Sequence, residues 1–161
     1  LLNPGWGQDL SPEARSELKR SHQRPIPRLD VPPLIWQIDP NARVAGMDSS
    51  DGLDDAVLQI CRASGVGARL WRDRLPIPKA LQQTQCLSET ELLNWVLYGG
   101  EDFELVLCLP SAIAKALVVQ VGGEAAIIGQ IIRERSVFLE DTQGQQIDPP
   151  LSLDRGFQHF G

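Results

Sequence analysis

Two short stretches concentrate the residue types that do chemistry. The first is Asp48-Ser49-Ser50-Asp51-Gly52, set between an apolar segment (residues 42–47) and an apolar run that begins at Leu53. It places two carboxylates and a hydroxyl within four residues, beside the free N–H groups of a helix start. Such a group can hold a hard divalent cation and a phosphate together: the carboxylates take the metal and the metal takes the phosphate oxygens. Gly52 lets the backbone come close to a ligand. A plainer reading stands beside this one, because Asp and Ser are favoured helix N-caps and Asp-Gly is a common turn. Asp54 and Asp55 fall in the first helical turn, where favourable interaction with the helix dipole accounts for them.

The second stretch is Gly99-Gly100-Glu101-Asp102, between a helix and a strand. A double glycine permits unusual backbone angles and close ligand approach. Glu101 is then placed to bind a cationic or hydroxyl-bearing substrate; the alternative is a glycine helix end followed by solvated acids. His22 and His159 are the only histidines. Neither adjoins a Ser or Cys nucleophile in sequence, so a hydrolase triad has little support. Phe157 and Phe160, near the C-terminus, either clamp onto the core or stack on an aromatic ligand. There is no GxxxxGK[ST] and no GxGxxG, so nucleotide handling of the P-loop or Rossmann kind is excluded.

The elements that must position these stretches follow from periodicity and punctuation. Ser11-Pro12-Glu13 reads as a helix start, Ser at the N-cap and Pro at the first helical position, with the helix running to about residue 21. Residues 22–40 carry five prolines (Pro25, Pro27, Pro32, Pro33, Pro40). This predicts a linker or an extended arm, not a regular helix or a central strand. A short strand at 42–47 leads into the first motif. Leu53, Ala56, Val57, Ile60 and Cys61 mark one helix face, with Ser50 or Asp51 as its cap and Gly65 as its end. A strand at 67–71 and a break at Leu75-Pro76-Ile77-Pro78 come next. Ser88-Glu89-Thr90-Glu91 is a capping box for a helix ending at Gly99-Gly100. Residues 103–109 read as a buried strand and residues 111–120 as a helix. Strands at 125–132 and 136–140 are expected to form a hairpin turning near Arg133-Glu134-Arg135. Together these predict an α+β fold, a mixed β-sheet with helices packed on it. Residues 1–40 form an N-terminal helix and proline-rich arm, and residues 41–161 the domain proper.

Composition narrows the partners. A length of 161 residues fits one domain with an ordinary core. The net charge of -6 argues against nucleic acid, since no basic face is apparent beyond a loose cluster of Arg15, Lys19, Arg20, Arg24 and Arg28. An acidic chain that handles phosphate needs metal ions between the like charges. No apolar run is long enough to span a bilayer, and the first twenty residues lack the signature of a signal peptide. Cys61, Cys86 and Cys108 are odd in number and widely spaced, which fits reduced thiols of a cytoplasmic protein better than a zinc or disulfide framework. The chain begins with Leu, which suggests a piece of a longer protein.

The motifs MDSSDGLDD, SGVGARL, YGGEDFELVLCLP, IIGQI and GFQHF, with HQRPIPRLD ahead of them, occur in that order. This set resembles the C-terminal domain of the thiamine-monophosphate kinases, within the superfamily that includes aminoimidazole ribonucleotide synthetase. The resemblance covers about residues 22–160. It implies an ATP- and Mg2+-dependent transfer of the γ-phosphoryl group to thiamine phosphate. It further implies Asp48 and Asp51 as metal ligands, Ser50 at the ATP phosphates, and Glu101 and Phe157 at the thiamine substrate. It implies a homodimeric full-length enzyme whose N-terminal domain, holding further metal-binding acids and much of the ATP groove, is not in this chain. The chain alone is then expected to be inactive, to bind Mg-ATP weakly, and to self-associate through the apolar arm around Leu34, Ile35 and Trp36. Two departures stand out: the loop VPPLIWQIDPN is longer and more apolar than the family pattern, and Ser49 occupies a position where an apolar residue is common. Another ATP-using superfamily member, such as aminoimidazole ribonucleotide synthetase or selenophosphate synthetase, is disfavoured by GGEDFEL. A non-catalytic binding or dimerisation module is disfavoured by the intact Asp48, Ser50, Asp51 and Glu101.

Overall fold

The computed structural model describes residues 7–153 except Gln83, Asp102, Glu124 and Asp148. Helix α1 (Pro12–Gln23) starts as its sequence requires: the Ser11 hydroxyl accepts the N–H of Ala14, and Pro12 occupies the first turn. None of its residues is buried. The proline-rich arm that follows is not extended throughout, which corrects the sequence expectation. Val31–Ile38 form a second helix, α2. Pro32 and Pro33 lie in its first turn, where no N–H is needed and the fixed φ suits a helix. Val31 and Ile35 then bury their side chains against Ile113 and Leu117 of α6 (Ser111–Val121). Trp36 points outward, 56% exposed.

Strand β1 (Ala45–Asp48) leads to α3 (Leu53–Ser64), which ends where Gly65 takes the left-handed conformation at φ 66°. Strand β2 (Gly67–Trp71) follows. A 3-10 turn at Arg72–Arg74 and the short helix α4 (Lys79–Gln82) flank the proline break. Helix α5 (Glu89–Tyr98) opens on the expected capping box: Ser88 accepts the N–H of Glu91, and the Glu91 carboxylate accepts the N–H of Ser88. Strand β3 (Leu105–Cys108) comes after α5; β4 (Gly129–Ile132), β5 (Val137–Glu140) and β6 (Gln146–Ile147) come after α6.

The sheet is mixed, as expected, in the order β4-β2-β5-β6. Its pairing differs from the sequence reading. β4 and β5 are not a hairpin: β2 lies between them, antiparallel to β4 and parallel to β5. The short link between β4 and β5 therefore crosses the end of β2 instead of forming a tight turn. β5 fills the central position its composition suits, with Val137, Phe138 and Leu139 all buried. These residues, with Val57 and Cys61 of α3, Ala68 and Leu70 of β2, and Leu97 of α5, form the main core. β3 pairs with β1 in a separate two-stranded sheet. It is only half-buried, with Leu105 exposed, so the expected buried strand is corrected too. Cys61 is buried, Cys108 half-buried and Cys86 exposed, all three as free thiols. Among the described residues no helix is long and apolar enough to cross a membrane.

Candidate functional site

The antiparallel pairing of β1 with β3 sets Asp48 opposite Leu105. The C-terminal end of β1 and the N-terminal end of β3 therefore coincide, and the two motifs that extend from them lie side by side. Three backbone-anchored bonds join them. Ser49 N–H donates to the Glu104 carbonyl (2.9 Å), Glu104 N–H donates to the Ser49 hydroxyl (3.2 Å), and Glu101 N–H donates to the Ser50 carbonyl (2.7 Å). Ser49 is 5% exposed, so its hydroxyl satisfies a partly buried N–H that an apolar side chain would leave unpaired. Sequence reasoning noted Ser49 only as a departure from a pattern. Its partner lies 55 residues away, and no local signal announces that bond.

Gly52, not Ser50 or Asp51, is the N-cap of α3, and no side chain caps the helix. This corrects the expected cap. Gly52 sits at φ 114°, outside the range side-chain-bearing residues accept, and a Cβ there would lie 3.0 Å from Asp54 Oδ1 and 3.1 Å from the Leu97 carbonyl. The Ser50 hydroxyl turns away from the helix and donates to Asp48 Oδ1 at 3.3 Å. Asp48 is exposed, and Ser50 and Asp51 are half-buried. Glu101 and Phe103 adopt φ of 71° and 55°, conformations that cost energy in residues other than glycine and that cluster at functional sites.

The helix-dipole explanation holds poorly for Asp54, a further correction. Its side chain is fully buried, and neither carboxylate oxygen has a hydrogen-bond partner. Burial pushes its carboxyl up to about 6, with the nearby N–H of Asp55 offsetting part of the rise and the Asp55 charge adding to it. Asp55 is likewise raised, by burial first and then by the Asp51 charge. Both shifts arise first from burial, so negative charge is costly in this part of the loop. That condition favours a bound cation. Among the described residues no three His, Cys, Asp or Glu side chains converge into a metal cage. The carboxylates of Asp48 and Asp51 are of the chemical kind that a hard cation such as Mg2+ takes, one or two at a time, with phosphate oxygens and water completing its shell.

The arm reaches this site as well. His22 Nε2 lies 3.8 Å from Glu101 Oε2, and Arg28 Nη1 donates to Glu104 Oε2 at 2.8 Å. Neither contact was read from the sequence. Both belong to an open groove that Ser49 and Leu105 also line. Ser50 and Glu101 are joined through their backbones, and Asp48 and Asp51 flank Ser50 in the same loop, beside the groove rather than among its lining residues. Phe157, Phe160 and His159 lie outside the described residues.

Comparison with known proteins bears on the family and the fold. The family described as AIR synthase related protein, C-terminal domain, matches residues 7–142. The thiamine-monophosphate kinase of Synechococcus elongatus (strain ATCC 33912 / PCC 7942 / FACHB-805) is 50% identical over 154 residues, 94% of this chain and 44% of that protein. The crystal structure of thiamine-monophosphate kinase from Stenotrophomonas maltophilia K279a superposes with a TM-score of 0.65 at 26% identity, over 79% of this chain and 39% of that one. A structure of AaThiL complexed with AMPPCP and TMP superposes with a TM-score of 0.67 over 95% of this chain and 44% of that one; at 24% identity it speaks for the fold. The chain spans less than half the length of these relatives.

Proposed function

The chain belongs to the AIR synthase related protein family, matching its C-terminal domain, and from that premise we propose that it is the C-terminal part of an enzyme that phosphorylates thiamine phosphate to thiamine diphosphate with ATP. A phosphate oxygen of thiamine phosphate attacks the γ-phosphorus, a new P–O–P bond forms, and ADP leaves with the electrons of the broken bond. Such a transfer depends on positioning and charge neutralisation more than on covalent help from the protein. Asp48 and Asp51 would hold Mg2+, which supplies charge neutralisation at the phosphates. Ser50 lies beside them to meet the ATP phosphates. Glu101 faces the groove, where its carboxylate suits the cationic thiazolium of the substrate, and Phe157 is assigned to the aromatic part of the same molecule.

The observation that carries this reading is the 2.7 Å bond from Glu101 N–H to the Ser50 carbonyl. It ties the phosphate-side motif to the substrate-side motif, so that donor and acceptor would meet across one hydrogen bond. The 50% identity to the Synechococcus kinase over nearly the whole chain supports the choice of substrate. We place the complete enzyme in the cytoplasm as a homodimer, with the additional acids and most of the ATP groove on length that this chain does not include. The chain alone is then inactive.

The test is product formation by the complete gene product that contains this chain. With ATP, Mg2+ and thiamine phosphate, the two coupled phosphorus resonances of thiamine diphosphate are expected to grow in 31P NMR as ATP is consumed. A folded protein that produces none overturns the reading.

A further inference from the structure

The Glu101 carboxylate is not fixed by its own backbone. The backbone is pinned at φ 71° by the bond to Ser50, but the side chain is 43% exposed. Left alone, it would spread over several rotamers and lose that freedom whenever it engaged a ligand, weakening binding. Among the described residues its one ion-pair partner is His22, whose Nε2 lies 3.8 Å from Glu101 Oε2.

His22 is held there by the arm rather than by burial. It sits in the last turn of α1, a helix with no buried residue. Six residues on, the Arg28 guanidinium is oriented by two bonds to Asp30 (3.1 and 3.0 Å) and donates to Glu104. Immediately beyond, α2 is anchored by Val31 and Ile35. The arm therefore clasps the turn at both ends, His22 at Glu101 and Arg28 at Glu104. Glu101 itself, and Phe103 between those points, are the two non-glycine residues with positive φ among the described residues.

We propose that His22 is a positioning residue for substrate: it orients the Glu101 carboxylate so that one oxygen faces the imidazole and the other is presented to the groove. This rests on the reading above, in which Glu101 faces thiamine phosphate. A separation of 3.8 Å exceeds a direct hydrogen bond, so the contact is an electrostatic one that biases the carboxylate without locking it.

The experiment is steady-state kinetics on the complete gene product, varying thiamine phosphate and ATP separately. His22→Ala is expected to raise KM for thiamine phosphate by about 3- to 5-fold, the range of a partly exposed ion pair, leaving kcat and the KM for ATP within about 2-fold. His22→Gln, which keeps a donor, is expected to recover most of the loss. On a Glu101→Gln background, His22→Ala is expected to add nothing further. The side chain is half exposed, so folding of the variants is expected to match wild type by circular dichroism. The positioning role is overturned if wild type is active and His22→Ala leaves KM for thiamine phosphate unchanged. A shift of both KM values and kcat together, with no rescue by Gln, overturns it equally. A wild type that never phosphorylates thiamine phosphate overturns the functional reading, and this proposal with it.

Discussion

Two stretches meet at Glu101 and are held in contrasting ways. Residues 49–52 are fixed by backbone: Ser49 exchanges two hydrogen bonds with Glu104, Ser50 accepts from Glu101, and Gly52 packs against the Leu97 carbonyl at the end of α5. Residues 12–28 bury nothing in α1 and meet the same site through side chains alone, His22 to Glu101 and Arg28 to Glu104. Backbone contacts fix geometry to fractions of an ångström, whereas exposed ion pairs are weak and adjustable. The difference suits the proposed division of labour. Phosphate and metal need rigid positioning, and a substrate that must enter and leave needs a wall that yields.

Substitutions in the two stretches are therefore expected to have very different costs. The largest effect belongs to Gly52→Ala. The new Cβ would be forced into φ 114° and within 3.0–3.1 Å of Asp54 and Leu97. A loss of roughly 2–4 kcal/mol of unfolding free energy is expected from strain and overpacking, measured by urea denaturation. A loss below that of the arm variants would erase the contrast.

Next comes Asp54→Asn, which is expected to stabilise. Burial holds this carboxyl at about 6 in the folded protein, above its ordinary 3.8. Protonation therefore favours the folded state, and stability is lost as pH rises from about 4 through 6. Asn removes the buried charge, so the variant is expected to gain roughly 1–3 kcal/mol at pH 7 and nothing at pH 4. Thermal melts at the two pH values check the sign.

Arg28→Ala sits at the small end. It is expected to cost about 1 kcal/mol or less, with the loss diminishing in high salt. Hydrogen exchange is expected to quicken in residues 22–30 while β1 and β3 keep their protection. Loss of protection across β1 as well would show the arm to be part of the rigid frame.

The sequence made some of this legible because the relevant physics is local. The Ser88 capping box, the Gly65 helix end and the apolar face of α3 depend on neighbours within a turn or two. Asp48, Ser50, Asp51 and Glu101 stood out as candidates by type and spacing, with the plain cap-and-turn reading beside them, and the family resemblance is what implied their roles. What stayed hidden depends on distant partners. Proline count suggested an extended arm, but Pro32 and Pro33 fall in the first turn of α2, where they do no harm, and α6 supplies the burial that makes the helix stable. The short link after β4 suggested a hairpin, but β2 takes the place between β4 and β5. Asp54 looked like a dipole-stabilising surface acid because its burial under the end of α5 is a tertiary fact. The Ser49 hydroxyl, the His22 contact and the Arg28 clasp likewise join residues far apart in the chain.

The central claim is that two motifs form one phosphoryl-transfer site, one half serving metal and phosphate and the other serving the acceptor. Its most direct test is steady-state kinetics of the complete gene product as wild type, Asp48→Asn and Glu101→Gln. The account predicts that Asp48→Asn lowers kcat about 100-fold or more with little change in KM for thiamine phosphate, while Glu101→Gln chiefly raises that KM. Wild-type turnover in Asp48→Asn, or identical kinetic defects in the two variants, would contradict it.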